Sequence, residues 1–297
     1  MTIAVPSTVA SKQRKPNVLA DFMRQQPLGT VSFVIIFLMM FAGLFSPLVA
    51  PYDPLDIDFA QILSAPSWEH WCGTDAYGRD IASRLIHGSR TALVIGFTSS
   101  FGGSTVGAAI GIASAYFGGR IDDWIQRLVD ILLAFPLIVL ALVVVAAFRK
   151  FTLGGVDVNL IVAIAVPIVP RVARVVRAAA LSVRTMPYVD AARVAGYSHT
   201  RIIFRHMAPN VVASYLIMLT AFIAQAILAE ASLSFLGLGV TEPTAAWGLM
   251  LSGNAADFYR QAPWMILFPG AAISLAVFAF NLFGDSLRDF LDPRFKV

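Results

Sequence analysis

Charge is scarce in this chain. Asp, Glu, Lys and Arg make up 13% of its 297 residues, while 58% are hydrophobic. An ordinary soluble domain is about 25% charged, so the composition excludes a soluble globular protein and places the chain in a lipid bilayer, with a mean hydropathy of +0.74. There is one cysteine, Cys72, which excludes an intrachain disulfide. The phosphate-cradling pattern G-x-x-x-x-G-K-[ST] is missing, so the chain does not itself bind ATP in the usual way. No H-E-x-x-H stands in it, no nucleophile–base pairing, and no spacing of His70, His87, His199 and His206 that suits a metal. Catalytic residues, metal and cofactor are therefore not expected. The net charge of +4 follows membrane topology and is no sign of nucleic acid. No small-residue cleavage site follows the first apolar run, which is too long for a signal-peptide core, so a retained span is expected.

What is present is a series of apolar runs without acids or bases, at about 28–50, 91–117, 128–148, 158–178, 210–235 and 263–283. They predict an all-α integral membrane fold of six transmembrane helices. The fourth run carries Pro167 and Pro170, which membrane helices tolerate when neighbours satisfy the freed carbonyls. Residues 1–27 form a polar tail, 28–50 the first span, 51–90 a loop, 91–286 a core of five spans and 287–297 a second tail. With the N-terminus inside, the inner segments hold 16 of the 22 Lys and Arg. That bias predicts both termini, and the basic loop 179–209, in the cytoplasm.

The stretch 188–210, YVDAARVAGYSHTRIIFRHMAPN, is polar within a greasy chain. Gly196 is a natural left-handed helix stop. Ser198 can cap a second short helix, and Pro209 suits the first turn of the next span. Two helices at an angle would carry an apolar patch of Ile202, Ile203 and Phe204, rimmed by His199, Arg201 and Arg205. Such a patch suits a groove on another protein. A basic anchor on anionic lipid is the competing reading; a fixed turn is more than an anchor needs.

Elsewhere, Gly73, Gly78 and Gly88 punctuate GTDAYGRDIASRLIHGSR, residues 73–90, where Asp80 and Arg84 are spaced as an i,i+4 pair. Small residues recur every fourth position in the second span, at Ser99, Gly103, Gly107, Gly111, Ala115 and Gly119. They predict a face where another helix comes close. Asp130 lies three residues after Arg127 and can pair with it. Glu230, near the outer end of the fifth span, is a possible gate, since acids in spans are functional candidates, or an acid that reaches water.

Two motifs carry a family resemblance. Asp190-Ala191-Ala192, Gly196 and Pro209 follow the acid-Ala-Ala, three residues, Gly, twelve residues, Pro spacing of the EAA loop of ABC importer permeases. Asp190 stands where Glu is usual, and Ala208 where Leu is common. Residues 73–90 resemble the G-T-D-x-x-G-R-D-x-x-S-R-x-x-x-G-x-R signature of the C-type subunit of dipeptide, oligopeptide and nickel importers. The resemblance implies the type I importer permease fold and a bacterial inner-membrane location. It implies a heterodimer with a second homologous permease, two ATP-hydrolysing subunits and an extracytoplasmic substrate-binding protein. Asp190, Ala191, Ala192, Gly196, His199, Arg201, Ile202, Arg205 and Pro209 would then couple to the ATPase. Gly73, Thr74, Asp75, Gly78, Arg79, Asp80, Ser83 and Arg84 would lie outside, near the binding protein. Peptides, nickel and glutathione-like ligands are all carried by similar permeases. A secondary transporter or channel would predict broken helices at matching places in two repeats, and no repeat is found.

Overall fold

A computed structural model describes residues 18–148, 151–153 and 156–291. Lys12, Arg14, Lys15, Arg149, Lys150, Arg294 and Lys296, which entered the charge bias, lie outside these residues, as do most of the two tails. In chain order the helices are α1 (Val18–Gln25), α2 (Pro27–Leu44), α3 (Ser46–Val49), α4 (Ile81–Phe117), α5 (Gly119–Leu133), α6 (Leu137–Ala147), α7 (Val158–Arg184), α8 (Pro187–Val194), α9 (His199–Ile202), α10 (Ala208–Phe235), α11 (Trp247–Met250), α12 (Asn254–Asp257) and α13 (Trp264–Leu291). A two-residue hairpin, β1 (Thr152–Leu153) and β2 (Val156–Asp157), precedes α7. A π-helical turn, Ile203–Met207, joins α9 to α10 without a break.

Five helices are long and apolar enough to cross a bilayer: α2, α4, α7, the continuous α9–α10 and α13. The bent pair α5–α6 makes a sixth if counted as one span. The run read as a span over 128–148 is thus not one straight helix. It breaks at Ala134–Pro136, where the axes of α5 and α6 meet at 94°. The physical cause is Pro136, which cannot donate into the helix before it and starts a new one. The eleven residues of α6 reach only about 16 Å, half the hydrocarbon thickness of about 30 Å.

The second span is also longer than its apolar run. α4 starts ten residues earlier than the apolar stretch, at Ile81, and Asp80 caps it by accepting from Ser83 N at 2.7 Å. Asp80 is therefore not the partner of Arg84, and Gly88 lies inside the helix and not in a turn. Its missing side chain makes room for the Trp247 ring, whose Cδ1 would sit 2.7 Å from a Cβ on Gly88.

At the centre, α4 crosses α7. A Cβ on Gly103 would lie 2.7 Å from the Ala165 carbonyl oxygen, and one on Gly111 2.5 Å from that of Ala173. Lipid tails are as apolar as leucine, so it is this close van der Waals packing, and not water exclusion, that holds such helices together. Gly119, the last member of the small-residue series, starts α5 and has no neighbour within 4 Å of its Cβ position. α10 is tied to α4 by Ser100 Oγ, which donates to Leu219 O at 2.8 Å. Ile164, Ile168, Val172 and Val176 of α7 form the core between α4 and α10, and α2 and α13 close a second cluster around Ile227 and Trp247. α2 turns Leu28, Phe37, Leu38 and Phe41 outward, as a lipid-facing helix does. The rings of Phe22 and Phe290 are 5.4 Å apart, so both ends of the described chain lie at one end of the bundle.

Candidate functional site

That same end carries the turn 185–207. α8 buries Val189 and Ala192 against the bundle and exposes Asp190, Ala191, Arg193 and Val194. It stops as the sequence predicts. Gly196 has φ +74°, Tyr197 N donates to Ala192 O at 3.1 Å and Gly196 N to Arg193 O at 3.0 Å. This pair of bonds satisfies the last carbonyls of a helix closed by a left-handed glycine. Ser198 then caps α9, accepting from Arg201 N at 3.4 Å, and Pro209 falls in the first turn of α10.

The expected apolar patch is divided. Ile202 is buried at 1% exposure, anchoring α9, while Phe204 is 71% and Val194 90% exposed. The free surface is therefore Val194, Gly196, Tyr197 and Phe204, edged by Asp190, Arg201 and Arg205. Arg201 lies 3.9 Å above the Tyr197 ring, and Asp190 pairs with Arg193 at 3.0 Å. His199 is more than a rim residue: its Nδ1 is 2.7 Å from Tyr116 Oη at the end of α4. Tyr116 also lies under Arg193, 5.4 Å from the guanidinium. One α4 side chain thus touches both helices of the turn. Arg184 Nη1 donates to Ala115 O at 2.9 Å beside it.

The neighbouring α5 is held by charge. Asp122 accepts from Arg177 Nε at 2.7 Å, pairs with its Nη2, and receives Ser114 Oγ. Asp130 pairs with Arg174 and not with Arg127, which stacks over Trp124 instead. α5 lies alongside α7, which brings Arg174 to Asp130 and gives that carboxylate a partner from another helix.

The opposite end carries residues 51–80 and 236–263. Six polar side chains of the motif are buried, Thr74, Asp75, Arg79, Asp80, Ser83 and Arg84, while its last residue, Arg90, is exposed. Gly73 and Gly78 have φ of +74° and +76°, the left-handed turns expected there. Thr74 Oγ1 accepts from Ser64 N at 2.8 Å. Asp80 meets Ser83 and, through Oδ1, His70 Nδ1 at 2.9 Å. Asp75 accepts from Arg79 Nε at 2.6 Å. Glu242, from the other loop, accepts from Arg79 Nη1 at 3.0 Å and faces Arg84 Nη2 at 3.7 Å. Burial pulls the Arg79 guanidinium down, but the Glu242 and Asp75 carboxylates together hold it above the ordinary arginine value. The loops are further tied to the helices by Trp264 Nε1, donating to Thr74 O at 3.1 Å, and Trp247 Nε1, donating to Leu85 O at 2.9 Å.

Glu230 does not reach water. It is fully buried in α10, and its Oε1 accepts from Ser234 Oγ at 2.7 Å. Ser234 Oγ in turn accepts from Val240 N at 3.1 Å, so this acid helps set where the chain leaves α10. Glu242, Trp247, Tyr116 and Asp122 were not singled out by sequence reasoning. Their partners lie far away in the chain, 163 positions in the case of Arg79 and Glu242. Among the described residues no group of His, Cys, Asp and Glu could hold a metal.

The described chain is thus a membrane helix bundle with a capped, exposed turn at one end and an ion-paired loop layer at the other. Residues 103–297 match the family described as binding-protein-dependent transport system inner membrane component, and the chain belongs to that family. Residues 21–66 match the N-terminal transmembrane domain of oligopeptide transport permease C. The chain is 40% identical over 295 residues to the dipeptide transport system permease protein DppC of Alkalihalophilus pseudofirmus, covering 99% of this chain and 92% of the relative. It is 42% identical over 267 residues to a putative peptide transport system permease protein of Brucella suis, covering 90% and 88%. It is 39% identical over 274 residues to the glutathione transport system permease protein GsiD of Escherichia coli, covering 92% and 88%. Its fold is similar to that of a chain in an inward-facing structure of the MetNI methionine ABC transporter, with a TM-score of 0.54 at 19% identity over 70% of this chain and 96% of that one.

Proposed function

We propose that this permease subunit imports dipeptides or short oligopeptides, driven by ATP hydrolysis in partner subunits. The exposed turn around Gly196 carries the reading. It is rigidly closed, presents Val194 and Phe204 to the surroundings, and is fastened through Tyr116 to a helix that runs the length of the bundle. In this reading Asp190, Ala191, Gly196, Arg201 and Arg205 meet the ATPase, while Ala192, Ile202, His199 and Pro209 hold the turn in place. Motion of the ATPase would pass through Tyr116 to α4, and through the α4–α7 contact to the rest of the pathway. The chain would pair with a second, homologous permease, with the pathway between them. The turn end faces the cytoplasm, and the layer containing Gly73, Thr74, Asp75, Gly78, Arg79, Asp80, Ser83 and Arg84 faces outward toward a substrate-binding protein.

Peptide is favoured as substrate by the names of the relatives at 40% and 42% identity. A glutathione-like ligand is the second reading, favoured by the relative at 39%. A zwitterionic peptide cannot cross hydrocarbon unaided, because its charges lose their hydration there. The test is uptake by the complete importer in proteoliposomes, with ATP, offering a labelled dipeptide, glutathione and nickel in turn. ATP-dependent accumulation of dipeptide supports the proposal. Accumulation of glutathione or nickel alone overturns the substrate, and accumulation without ATP overturns the class.

A further inference from the structure

A cavity of about 190 Å³ lies in the loop layer. Ile81, Leu249, Met250 and Met265 form its apolar lining, and Asp75, Arg79, Arg84 and Glu242 its charged wall. The two arginine side chains are almost wholly enclosed, at 10% and 1% exposure. Glu242 is 51% exposed and sits on the 236–246 loop.

Arg84 is under-used. A guanidinium has five N–H donors. Among the described residues the Arg84 guanidinium makes one hydrogen bond, from Nη1 to Pro54 O at 3.2 Å. Its approaches to Asp75 at 3.9 Å and Glu242 at 3.7 Å are too long to be hydrogen bonds. An arginine buried beside a cavity with donors to spare is built for a carboxylate that approaches in the plane of the fork. Glu242 fills that role incompletely: it is close to Arg79 and distant from Arg84. Of the four charged groups it alone is substantially exposed, so it is the one that can leave. Its departure would leave Asp75 against two arginines, a local charge that one incoming carboxylate neutralises. Whole small-molecule ligands take pockets of about 300 Å³ or more, so this cavity suits a single acidic side chain.

We propose that Glu242 is an internal stand-in for an acidic side chain of the docking substrate-binding protein, which replaces it on Arg79 and Arg84 when the two proteins meet. The inference rests on the reading that this loop layer faces the binding protein. It makes Glu242 a competitor, so removing its charge should strengthen docking, whereas a purely structural Glu242 would leave docking unchanged or weaken it.

The experiment measures the affinity of the purified binding protein for the complete importer in nanodiscs. With Glu242→Gln the affinity should rise about two- to fivefold, the scale of a half-exposed ion pair. Ser252→Phe, which fills the cavity and keeps every charge, should lower it about tenfold or more. Unchanged or weaker binding by Glu242→Gln overturns the proposal, as does unchanged binding by Ser252→Phe. If Glu242→Gln alters only the handling of free dipeptide added without binding protein, the carboxylate belongs to substrate and the proposal is wrong. Absence of binding by the wild-type importer overturns the permease reading and this inference together. Wild-type binding that ignores both variants overturns this inference alone.

Discussion

Gly107 of α4 faces the carbonyl oxygen of Val169 in α7 so closely that a Cβ on Gly107 would lie 2.5 Å from it, and 2.9 Å from Val172 Cβ. No side chain fits there without separating the two helices. Overpacking a well-packed site typically destabilises by about 1–3 kcal/mol, and here the obstacle is backbone, which yields less than a side chain. Gly107→Leu should lower the thermal midpoint of the detergent-purified subunit or prevent its assembly. Val106 is 51% exposed on the other side of the same helix, so Val106→Leu should be neutral. Equal damage from both would mean that the α4–α7 face is not the contact described.

Tyr116 joins α4 to both helices of the surface turn through His199 and Arg193. Tyr116→Phe removes the hydroxyl and keeps the ring, so it should reduce transport modestly. Tyr116→Ala removes both contacts. Because Tyr116 is buried, the variant should preserve binding of the ATPase and lower substrate moved per ATP hydrolysed several-fold. A normal ratio in Tyr116→Ala would remove this residue from the coupling route.

Asp122 holds α5 against α7 and α4 through Arg177 and Ser114. Hydrogen bonds to charged groups contribute about 1.5–3 kcal/mol each at partly buried sites. Asp122→Asn should therefore destabilise the subunit, and Arg177→Gln should cost about as much. The double variant should be less damaging than the sum of the two, because each single change strands a charged partner. Strict additivity in thermal unfolding would show that the pair does not interact.

Cys72 is partly buried in the loop layer, and burial, then the nearby Asp80 carboxylate, push its thiol above the ordinary cysteine value. Maleimide reacts with the thiolate, so labelling at neutral pH should be slow and should rise steadily as pH increases toward that raised value. In intact spheroplasts an impermeant maleimide should reach Cys72 from outside. Labelling confined to inverted vesicles would reverse the topology and with it the direction of transport.

Local signals were legible in the sequence. Gly196, Ser198 and Pro209 each specify a backbone event within a few residues, and all three occur where the spacing predicts. The close face of α4 was legible because a glycine repeat every fourth position has few other uses in a helix. Features set by distant partners were not. Arg84 has the spacing of a short surface helix paired with Asp80, yet it lies inside the long α4 and is buried there among Asp75, Glu242 and the Pro54 carbonyl. Asp80 and Asp130 have arginines at helical spacing, but a capping position claims the first and Arg174 the second. An apolar run carries no information about direction, so the 94° break between α5 and α6 was hidden inside 128–148.

The central claim is that the turn around Gly196 transmits ATPase motion. At φ +74° no atom lies within 4 Å of the position of a Cβ on Gly196, so substitutions there act through backbone strain and not through a clash. A left-handed conformation costs about 1–2 kcal/mol for an ordinary residue and more for a β-branched one, whereas Asn adopts it readily. The decisive measurement follows ATP hydrolysis and peptide uptake together in proteoliposomes containing the complete importer with Gly196→Val or Gly196→Asn. The account predicts near-normal uptake with Asn. With Val it predicts inserted subunits that either shed the ATPase or hydrolyse ATP without matching uptake. Wild-type uptake per ATP and a full complement of ATPase in Gly196→Val would contradict it and leave residues 188–210 as a basic membrane anchor.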